Sequence, residues 1–196
     1  MSDVLHFRAE ELRRGDHVVM RDVELSLERD GFHCIIGANG TGKSTLLKAM
    51  CGDLMDGVDE LIIDGQQAHG LDVTKLATLR AVLPQTLAPR FPYAVRDVVS
   101  WGAYSRGGVD DAEVEEVLAR LEISALIDRP VTLLSGGEWA RVRIAQAMIQ
   151  KPAVLFADEP DAALDRRARH ALFSMLAASP QTVVVVTHDV ELARRY

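Results

Sequence analysis

The strongest motif in the sequence is Gly37-Ala-Asn-Gly-Thr-Gly-Lys-Ser44, which directly follows the apolar residues 34–36. The stretch fits the pattern G-x-x-x-x-G-K-[ST], in which backbone N–H groups of a glycine-rich loop surround phosphate oxygens. A helix that opens at about Lys43 would add the positive end of its dipole at the same place. The sequence therefore predicts a strand, a phosphate-binding loop and a helix in that order.

This loop predicts a binding site for ATP and Mg²⁺. Lys43 should reach the β- and γ-phosphates, and the hydroxyl of Ser44 should ligate the metal ion. The ATP-binding residues expected from the loop are Gly37, Asn39, Gly40, Thr41, Gly42, Lys43, Ser44 and Thr45. A dinucleotide-binding loop is excluded, because Thr45 stands where that pattern requires a third glycine.

The distribution of apolar residues predicts an α/β fold. Short runs rich in Val, Ile and Leu, typical of strands buried on both faces, occur at residues 34–36, 61–63, 154–157 and 183–186. Residues 18–28 instead alternate apolar and polar side chains, which predicts a small antiparallel sheet near the N-terminus. A loop followed by a helix, with Asp110 and Asp111 as candidate caps, predicts a helical insert over approximately 88–140.

Two adjacent acids follow the apolar run 154–157, at the carboxyl end of a predicted core strand. Ligands of open α/β sheets bind at this edge. Successive side chains leave a strand in different directions, which gives Asp158 and Glu159 separate tasks. We assign Asp158 to the Mg²⁺ shell and Glu159 to activation of the attacking water as general base. Taken alone, the pair is also consistent with a solvated acidic turn.

A second candidate anion site lies in Leu134-Ser-Gly-Gly-Glu138, at the start of a predicted helix. Ser135, Gly136 and Gly137 stand where the backbone N–H groups of the first turn have no partner within the helix. Taken alone, this segment is also explained as a helix start that is capped by a serine.

With these motifs in place, the sequence resembles the ABC ATPase family. The segment LSGGE, followed by an apolar strand that ends in Asp158-Glu-Pro160, is similar to the family's signature and strand motifs. Further motifs follow the family's order: Gln85 resembles the Q-loop glutamine, Asp165 the D-loop aspartate and His188 the switch histidine. The resemblance covers nearly the whole chain and implies one domain over residues 1–196 with a P-loop NTPase (RecA-like) core.

The resemblance implies a mechanism with two copies of the chain. They pack head to tail, and ATP lies between the phosphate loop of one copy and the signature residues of the other, which are Ser135, Gly136, Gly137 and Glu138. ATP binding closes the dimer, and hydrolysis opens it. His188 is expected to contact the γ-phosphate, and Gln85 is expected to sense both Mg²⁺ and a transmembrane permease subunit.

Two positions depart from the family pattern. Family members usually carry an aromatic residue that stacks on adenine, and the matching place here is Arg14, with His17 as an alternative. A guanidinium plane can also stack on a base, although an ordinary solvated arginine is the other explanation. After the signature the family usually continues with Gln, whereas this chain has Trp139. We expect Trp139 to pack within the helical insert, and a place at the dimer seam is the alternative.

The segment after Gln85 is similar to that of importer ATPases for haem, iron-siderophores and cobalamin, and also for zinc and manganese. In these importers the region receives a helix of the membrane subunit. Phe91, Tyr93 and Trp101 would suit such a socket, because aromatic residues are enriched at protein interfaces. Alternatively, these rings fill a small core of the insert. The leading expectation is an ATPase that powers import of haem or a metal chelate.

Composition agrees with this expectation. The 196 residues contain no apolar run of the roughly 20 residues that cross a bilayer and no secretion signal, which predicts residence in the cytoplasm. The resemblance to importer ATPases implies a position on the cytoplasmic face of the membrane. The net charge of −7 argues against a nucleic-acid partner. The alternatives are a soluble ABC ATPase acting on DNA or ribosomes, and a short exporter or cytochrome-maturation ATPase.

Overall fold

The strands form two sheets, one antiparallel and one parallel. The computed structural model describes residues 3–84, 89–162 and 164–196. Its strands are β1 (Asp3–Arg14), β2 (His17–Glu28), β3 (Phe32–Ile36), β4 (Glu60–Ile63), β5 (Gln66–Gln67), β6 (Arg80–Leu83), β7 (Val154–Asp158) and β8 (Thr182–Thr187). Its helices are α1 (Lys43–Met50), α2 (Val73–Leu79), α3 (Val95–Trp101), α4 (Asp111–Arg120), α5 (Gly136–Ile149), α6 (Arg166–Ala177) and α7 (Val190–Arg195). None of the helices in these ranges has the length and apolar character that a membrane span requires.

The parallel sheet has the strand order β3-β8-β7-β6. In its central strands, successive side chains enter two different cores. Leu155 and Val185 pack with the helical insert and α6, whereas Phe156 and Val184 pack with α1 and the antiparallel sheet. Both faces are therefore buried, which explains the continuous apolar runs of these strands. The core strands predicted at 154–157 and 183–186 are confirmed.

The antiparallel sheet has the strand order β2-β1-β4-β5. Along β2 the apolar side chains of residues 23, 25 and 27 are half-buried and the polar ones between them are exposed, as the alternation predicts. The strand predicted at 61–63 is confirmed as β4, but the prediction that it is buried on both faces is wrong, because β4 pairs antiparallel with β1 and belongs to this sheet. Leu61 and Ile63 are buried, whereas Ile62 between them is only partly covered. A three-residue apolar run does not reveal this alternation.

The helical insert lies between β6 and β7 and comprises α3, α4 and α5. Asp110 caps α4, because its carboxylate accepts a hydrogen bond from the backbone N–H of Glu113 at 2.9 Å. Val114 and Leu118 on α4 are buried against the rest of the insert. The predicted boundary at residue 140 falls inside α5, which continues to Ile149 and returns the chain to the core sheet.

Within the insert, α3 and α5 are in close contact at Gly102, which caps the end of α3. A Cβ atom added at Gly102 would lie 1.9 Å from the carbonyl oxygen of Gln146 on α5. The two backbones can approach this closely only because glycine has no side chain. The contact joins the two helices into one packed unit.

We expect Gly102→Ala to lower the free energy of unfolding by about 1–3 kcal/mol, because the added methyl group forces α3 away from α5. Urea denaturation followed by circular dichroism measures this change. Glu115→Ala, on the exposed side of α4, is the control and should shift stability by less than about 0.5 kcal/mol. Wild-type stability in Gly102→Ala would contradict the close contact between the two helices.

Candidate nucleotide-binding site

Three of the predicted motifs lie at one edge of the parallel sheet. β3 leads into the phosphate loop, β7 ends at Asp158, and β8 ends next to His188. Strand β8 lies between β3 and β7 and is parallel to both, so the three carboxyl ends point the same way. The topology therefore collects residues that are far apart in the sequence at the edge where ligands of such sheets bind.

The phosphate loop ends at Gly42, which precedes the first residue of α1, as predicted. Gly42 has a φ of 92°, a left-handed conformation that favours glycine. A Cβ atom here would also lie 2.6 Å from Cγ1 of Val19 on β2. The antiparallel sheet thus supports the loop directly, and the N-terminal backbone N–H groups of α1 face the site where an anion is favoured.

Lys43 is buried and held by the loop that it follows. Its Nζ donates hydrogen bonds to the carbonyl oxygens of Gly37 at 2.9 Å and Ala38 at 2.8 Å. An ammonium group has three donors, so Lys43 can hold the loop and also donate to a phosphate.

A hydrogen bond joins the phosphate loop to the end of β7. Ser44 Oγ donates to Asp158 Oδ1 at 2.9 Å, although the two residues are 114 positions apart. Hydroxyl and carboxylate oxygens are the hard ligands that Mg²⁺ prefers. The pair therefore fits the magnesium site that the sequence predicts at Ser44 and Asp158.

A cavity of about 570 Å³ opens over the loop, within the usual size range of small-molecule sites. Its walls are formed by Arg14, His17, Val19, Asn39, Gly40, Thr41, Gly42, Lys43, Ser44, Thr45 and Glu159. Arg14 and His17 pair across the end of the β1–β2 hairpin. Both candidates for stacking on adenine therefore stand in the wall of the same cavity as the phosphate loop.

Glu159 has a different environment from its neighbour Asp158. It lines the cavity, and its φ of 43° lies in the left-handed region, which costs a non-glycine residue about 1–2 kcal/mol. Its backbone N–H donates to the carbonyl oxygen of Val186 on β8 at 3.0 Å. The turn after β7 thus directs Asp158 toward Ser44 and Glu159 toward the cavity, consistent with separate tasks for the two acids.

Three of the signature residues, Ser135, Gly137 and Glu138, line a separate cavity of about 340 Å³. Ser135 caps α5: its hydroxyl accepts from the backbone N–H of Glu138 at 3.3 Å and donates to Glu138 Oε2 at 2.8 Å. The backbone N–H of Ser135 donates to the same oxygen at 2.7 Å, which completes a reciprocal capping box. Gly136 is the first helical residue, and Gly137 lines the cavity.

The structure places the remaining predicted residues as follows. Asp165 caps α6 by accepting a hydrogen bond from the backbone N–H of Ala168 at 2.8 Å. His188 is exposed at the end of β8. Trp139 packs against the apolar core of the insert, the expected place. Gln85 lies outside the described residues.

Four aromatic side chains form an exposed cluster, here called the aromatic patch. Their exposed fractions are Phe91 62%, Tyr93 47%, Trp101 49% and Tyr104 85%. The Tyr93 and Trp101 rings meet edge to face with centroids 4.9 Å apart, and the Phe91 and Tyr93 centroids are 6.0 Å apart. Tyr93 thus contacts both Phe91 and Trp101 at the surface, which favours the socket interpretation over a buried core.

Sequence reasoning missed a charged network beside the site. Asp161 is buried, and Arg169 on α6 pairs with both Asp161 and Asp189. The run Asp158-Glu-Pro-Asp161 reads as a solvated turn after a strand. Only the fold reveals that its last carboxylate is buried and needs a counter-charge.

Comparison with known proteins tests the resemblance. A family model described as ABC transporter matches residues 20–162 of the chain. The chain belongs to the ABC transporter family. Members of this family bind and hydrolyse ATP, and the P-loop NTPase fold predicted from the sequence is confirmed. The chain is therefore an ATPase with the fold of an ABC transporter ATP-binding subunit.

Two relatives show how much of the chain this family accounts for. The hemin import ATP-binding protein HmuV of Burkholderia ambifaria is 35% identical over 215 residues, covering 95% of this chain and 79% of that protein. HmuV of Streptomyces coelicolor is 36% identical over 190 residues, covering 93% of this chain and 68% of that protein.

Solved ABC structures share the fold of this ABC ATPase. The cbiO1 structure from Clostridium perfringens, part of the ABC transporter complex cbiONQ, superimposes with a TM-score of 0.89 at 25% identity, covering 100% of this chain and 82% of that one. The ADP conformation of MJ1267, an ATP-binding cassette of an ABC transporter, superimposes with a TM-score of 0.86 at 22% identity. The match covers 100% of this chain and 85% of that one.

The capping box at the signature predicts a pH-dependent stability. The pKa of Glu138 is lowered because the backbone N–H of Ser135, and then its hydroxyl, donate to the carboxylate. A lowered folded-state pKa means that the stabilisation is complete above the ordinary value of 4.5 and is lost as pH falls through the lowered value. We expect the free energy of unfolding of the wild type to exceed that of Glu138→Ala by about 1 kcal/mol at pH 7, and we expect this difference to shrink toward pH 3.

Urea denaturation of both proteins across this pH range measures the difference. Glu115→Ala, which removes an exposed carboxylate on α4, is the control, and its free energy of unfolding should differ little from that of the wild type at every pH. A difference for Glu138→Ala that does not depend on pH would argue against the charged capping box.

Proposed function

We propose that this ABC ATPase powers a haem importer, working as a pair of identical copies on the cytoplasmic face of a membrane. The observation that carries the ATPase part of the proposal is that Ser44 and Glu159 line the cavity over the phosphate loop, while Asp158 accepts a hydrogen bond from Ser44. A hydroxyl and a carboxylate there form a pair suited to a metal ion. The second carboxylate stands in the cavity wall, where a nucleotide-bound water would need a base.

The cavity suits a triphosphate with its metal ion. The backbone N–H groups of the loop and the N-terminus of α1 favour the phosphate groups, and Lys43 adds a positive charge. Ser44 and Asp158 would hold Mg²⁺, with Gln85 as a further ligand. When bound, Mg²⁺ neutralises part of the charge on the phosphates. Arg14 stacks on adenine in this proposal, and His17 is the alternative.

Hydrolysis requires activation of a water molecule beside the γ-phosphate. Glu159 accepts a proton from this water while the water oxygen bonds to the γ-phosphorus. The bond from that phosphorus to the bridging oxygen breaks at the same time, and ADP leaves with the electron pair. His188, at the end of β8, donates a hydrogen bond to the γ-phosphate.

The second copy completes the site. Within one chain, the signature and the phosphate loop line different cavities. In a head-to-tail pair, the start of α5 from one copy supplies its N-terminal backbone donors and Ser135, Gly136, Gly137 and Glu138 to the ATP of the other. The two-fold arrangement uses both cavities of both copies.

The transported solute and the membrane partner are proposed from the relatives and from the surface. Both HmuV relatives are named for hemin import. The aromatic patch borders a cleft of about 310 Å³ that Trp101 and Tyr104 share with Arg143 and Gln146 of α5. A cleft with exposed rings suits a helix from a permease subunit, because aromatic side chains give large contact areas.

We expect Glu159→Gln to bind Mg-ATP and accumulate as a closed dimer while phosphate release falls to a small fraction of the wild-type rate. The amide cannot accept the water proton as a carboxylate does, whereas the phosphate loop is unchanged. Calorimetry, size-exclusion chromatography and a phosphate-release assay measure binding, dimerisation and turnover. Lys43→Ala is the companion variant and should lose nucleotide affinity. An unaltered turnover rate in Glu159→Gln would overturn the assignment of Glu159 as base.

We expect the double variant Trp101→Ala/Tyr104→Ala to lose co-purification with a polytopic membrane protein while it keeps its affinity for Mg-ATP. The patch lies outside the nucleotide cavity, so only docking should weaken. Val73→Ala, which changes a 77% exposed apolar residue outside the patch, is the control. Recovery of soluble partners alone, or ATPase activity stimulated by DNA or ribosomes and not by membranes, would contradict the importer function.

A further inference from the structure

Arg169 connects three segments around the proposed catalytic residues. Its Nε lies 3.3 Å from Asp161 Oδ2, and its Nη1 lies 3.2 Å from Asp189 Oδ2. Its Nη2 donates to the carbonyl oxygen of Leu164 at 3.4 Å. One guanidinium group therefore contacts the turn after β7, the segment before α6 and the turn after β8.

Asp161 depends on this arginine. Its side chain is 0% exposed, and neither carboxylate oxygen has a hydrogen-bond partner among the described residues. The contact to Arg169 is an ion pair without hydrogen-bond alignment. A buried carboxylate is tolerated only with a compensating charge, so the position of Asp161 is tied to the position of the guanidinium.

The position of Asp161 in turn restrains Glu159. The backbone N–H of Ala162 donates to the carbonyl oxygen of Glu159 at 3.2 Å, and that of Leu164 donates to the carbonyl oxygen of Asp161 at 3.0 Å. These bonds join Glu159 and Asp161 in one tight turn. The left-handed backbone of Glu159 is maintained only if its surroundings hold it there, and the buried carboxylate anchors this turn.

On the other side, Asp189 restrains His188. Asp189 Oδ1 accepts from the backbone N–H of Leu192 at 3.0 Å and caps α7, while Oδ2 accepts from Arg169. The backbone N–H of Asp189 donates to Thr187 Oγ1 at 3.1 Å. Both neighbours of His188 are therefore anchored, one in the buried end of β8 and the other on the guanidinium of Arg169.

We infer that Arg169 is a positioning residue for ATP hydrolysis, which keeps Glu159 and His188 in a fixed spatial relation through Asp161 and Asp189. This inference rests on the roles proposed above for Glu159 and His188. Arg169 is absent from the residues that line the nucleotide cavity, so its loss should reduce kcat and leave the KM for ATP nearly unchanged. If Arg169 only neutralises Asp161, its loss affects stability and leaves kcat unchanged.

Steady-state ATP hydrolysis by the full chain with Mg²⁺ distinguishes these two roles. The double variant Arg169→Gln/Asp161→Asn removes both charges of the buried pair, which avoids an uncompensated carboxylate. We expect its kcat to fall by about tenfold or more, since small displacements of catalytic groups have effects of this size, with a KM for ATP within about twofold of wild type. Arg167→Gln, at an exposed arginine on the same helix, is the matched control.

Arg169→Lys is the second variant, for use if the double variant does not fold. It keeps a positive charge beside Asp161 and should therefore preserve the fold. A single ammonium group cannot span both carboxylates, so kcat should again fall, by less than in the double variant, at unchanged KM. Suppose that Glu159→Gln is inactive, as proposed. A wild-type kcat in folded Arg169→Lys, or in the folded double variant, would then overturn the inference about Arg169 and leave the proposed role of Glu159 standing. Wild-type turnover in Glu159→Gln overturns the proposed catalytic roles and the inference with them.

Discussion

The parallel pairing of β3, β8 and β7 is the constraint on which the rest of the molecule depends. Its clearest result is the hydrogen bond between Ser44 and Asp158. It joins the start of α1 to the end of β7 and can form only when β3 and β7 run parallel on either side of β8. The sheet that sets this geometry is buried on both faces, by α1 and the antiparallel sheet on one side and by the insert and α6 on the other. Two densely packed cores therefore determine the position of a few polar atoms.

Much of the fold and of the site was predictable from the sequence where the signal is local. The phosphate loop is one example, because its function depends on backbone turns that require glycine at fixed spacing, and Gly42 has the expected left-handed conformation. The strand at 61–63 was expected to be buried on both faces and is not, because its pairing with β1 is decided by contacts distant in sequence. The burial of Asp161 was invisible for the same reason, since composition does not show which acids face the interior.

The insert combines two surfaces that are predicted to meet different partners. Trp101 of the aromatic patch ends α3, while the signature begins α5. The close contact between Gly102 and Gln146 ties these two helices together. A displacement of α3 by a membrane partner would thus be passed to α5 as a rigid-body movement, because packed helices shift together more easily than they deform. Under the proposed function, this packing would couple docking to nucleotide binding.

The separation of the two cavities has a consequence for the reaction order of the enzyme. Suppose that ATP is hydrolysed only between the phosphate loop of one copy and the signature of another. In a dilute solution most copies are then monomers with incomplete sites, so the ATPase rate per subunit rises with the concentration of the chain. Attachment to a permease would remove this dependence, because two cassettes held on one complex meet at a high effective concentration. The membrane complex would then act as a scaffold that makes the ATPase rate per subunit independent of the protein concentration.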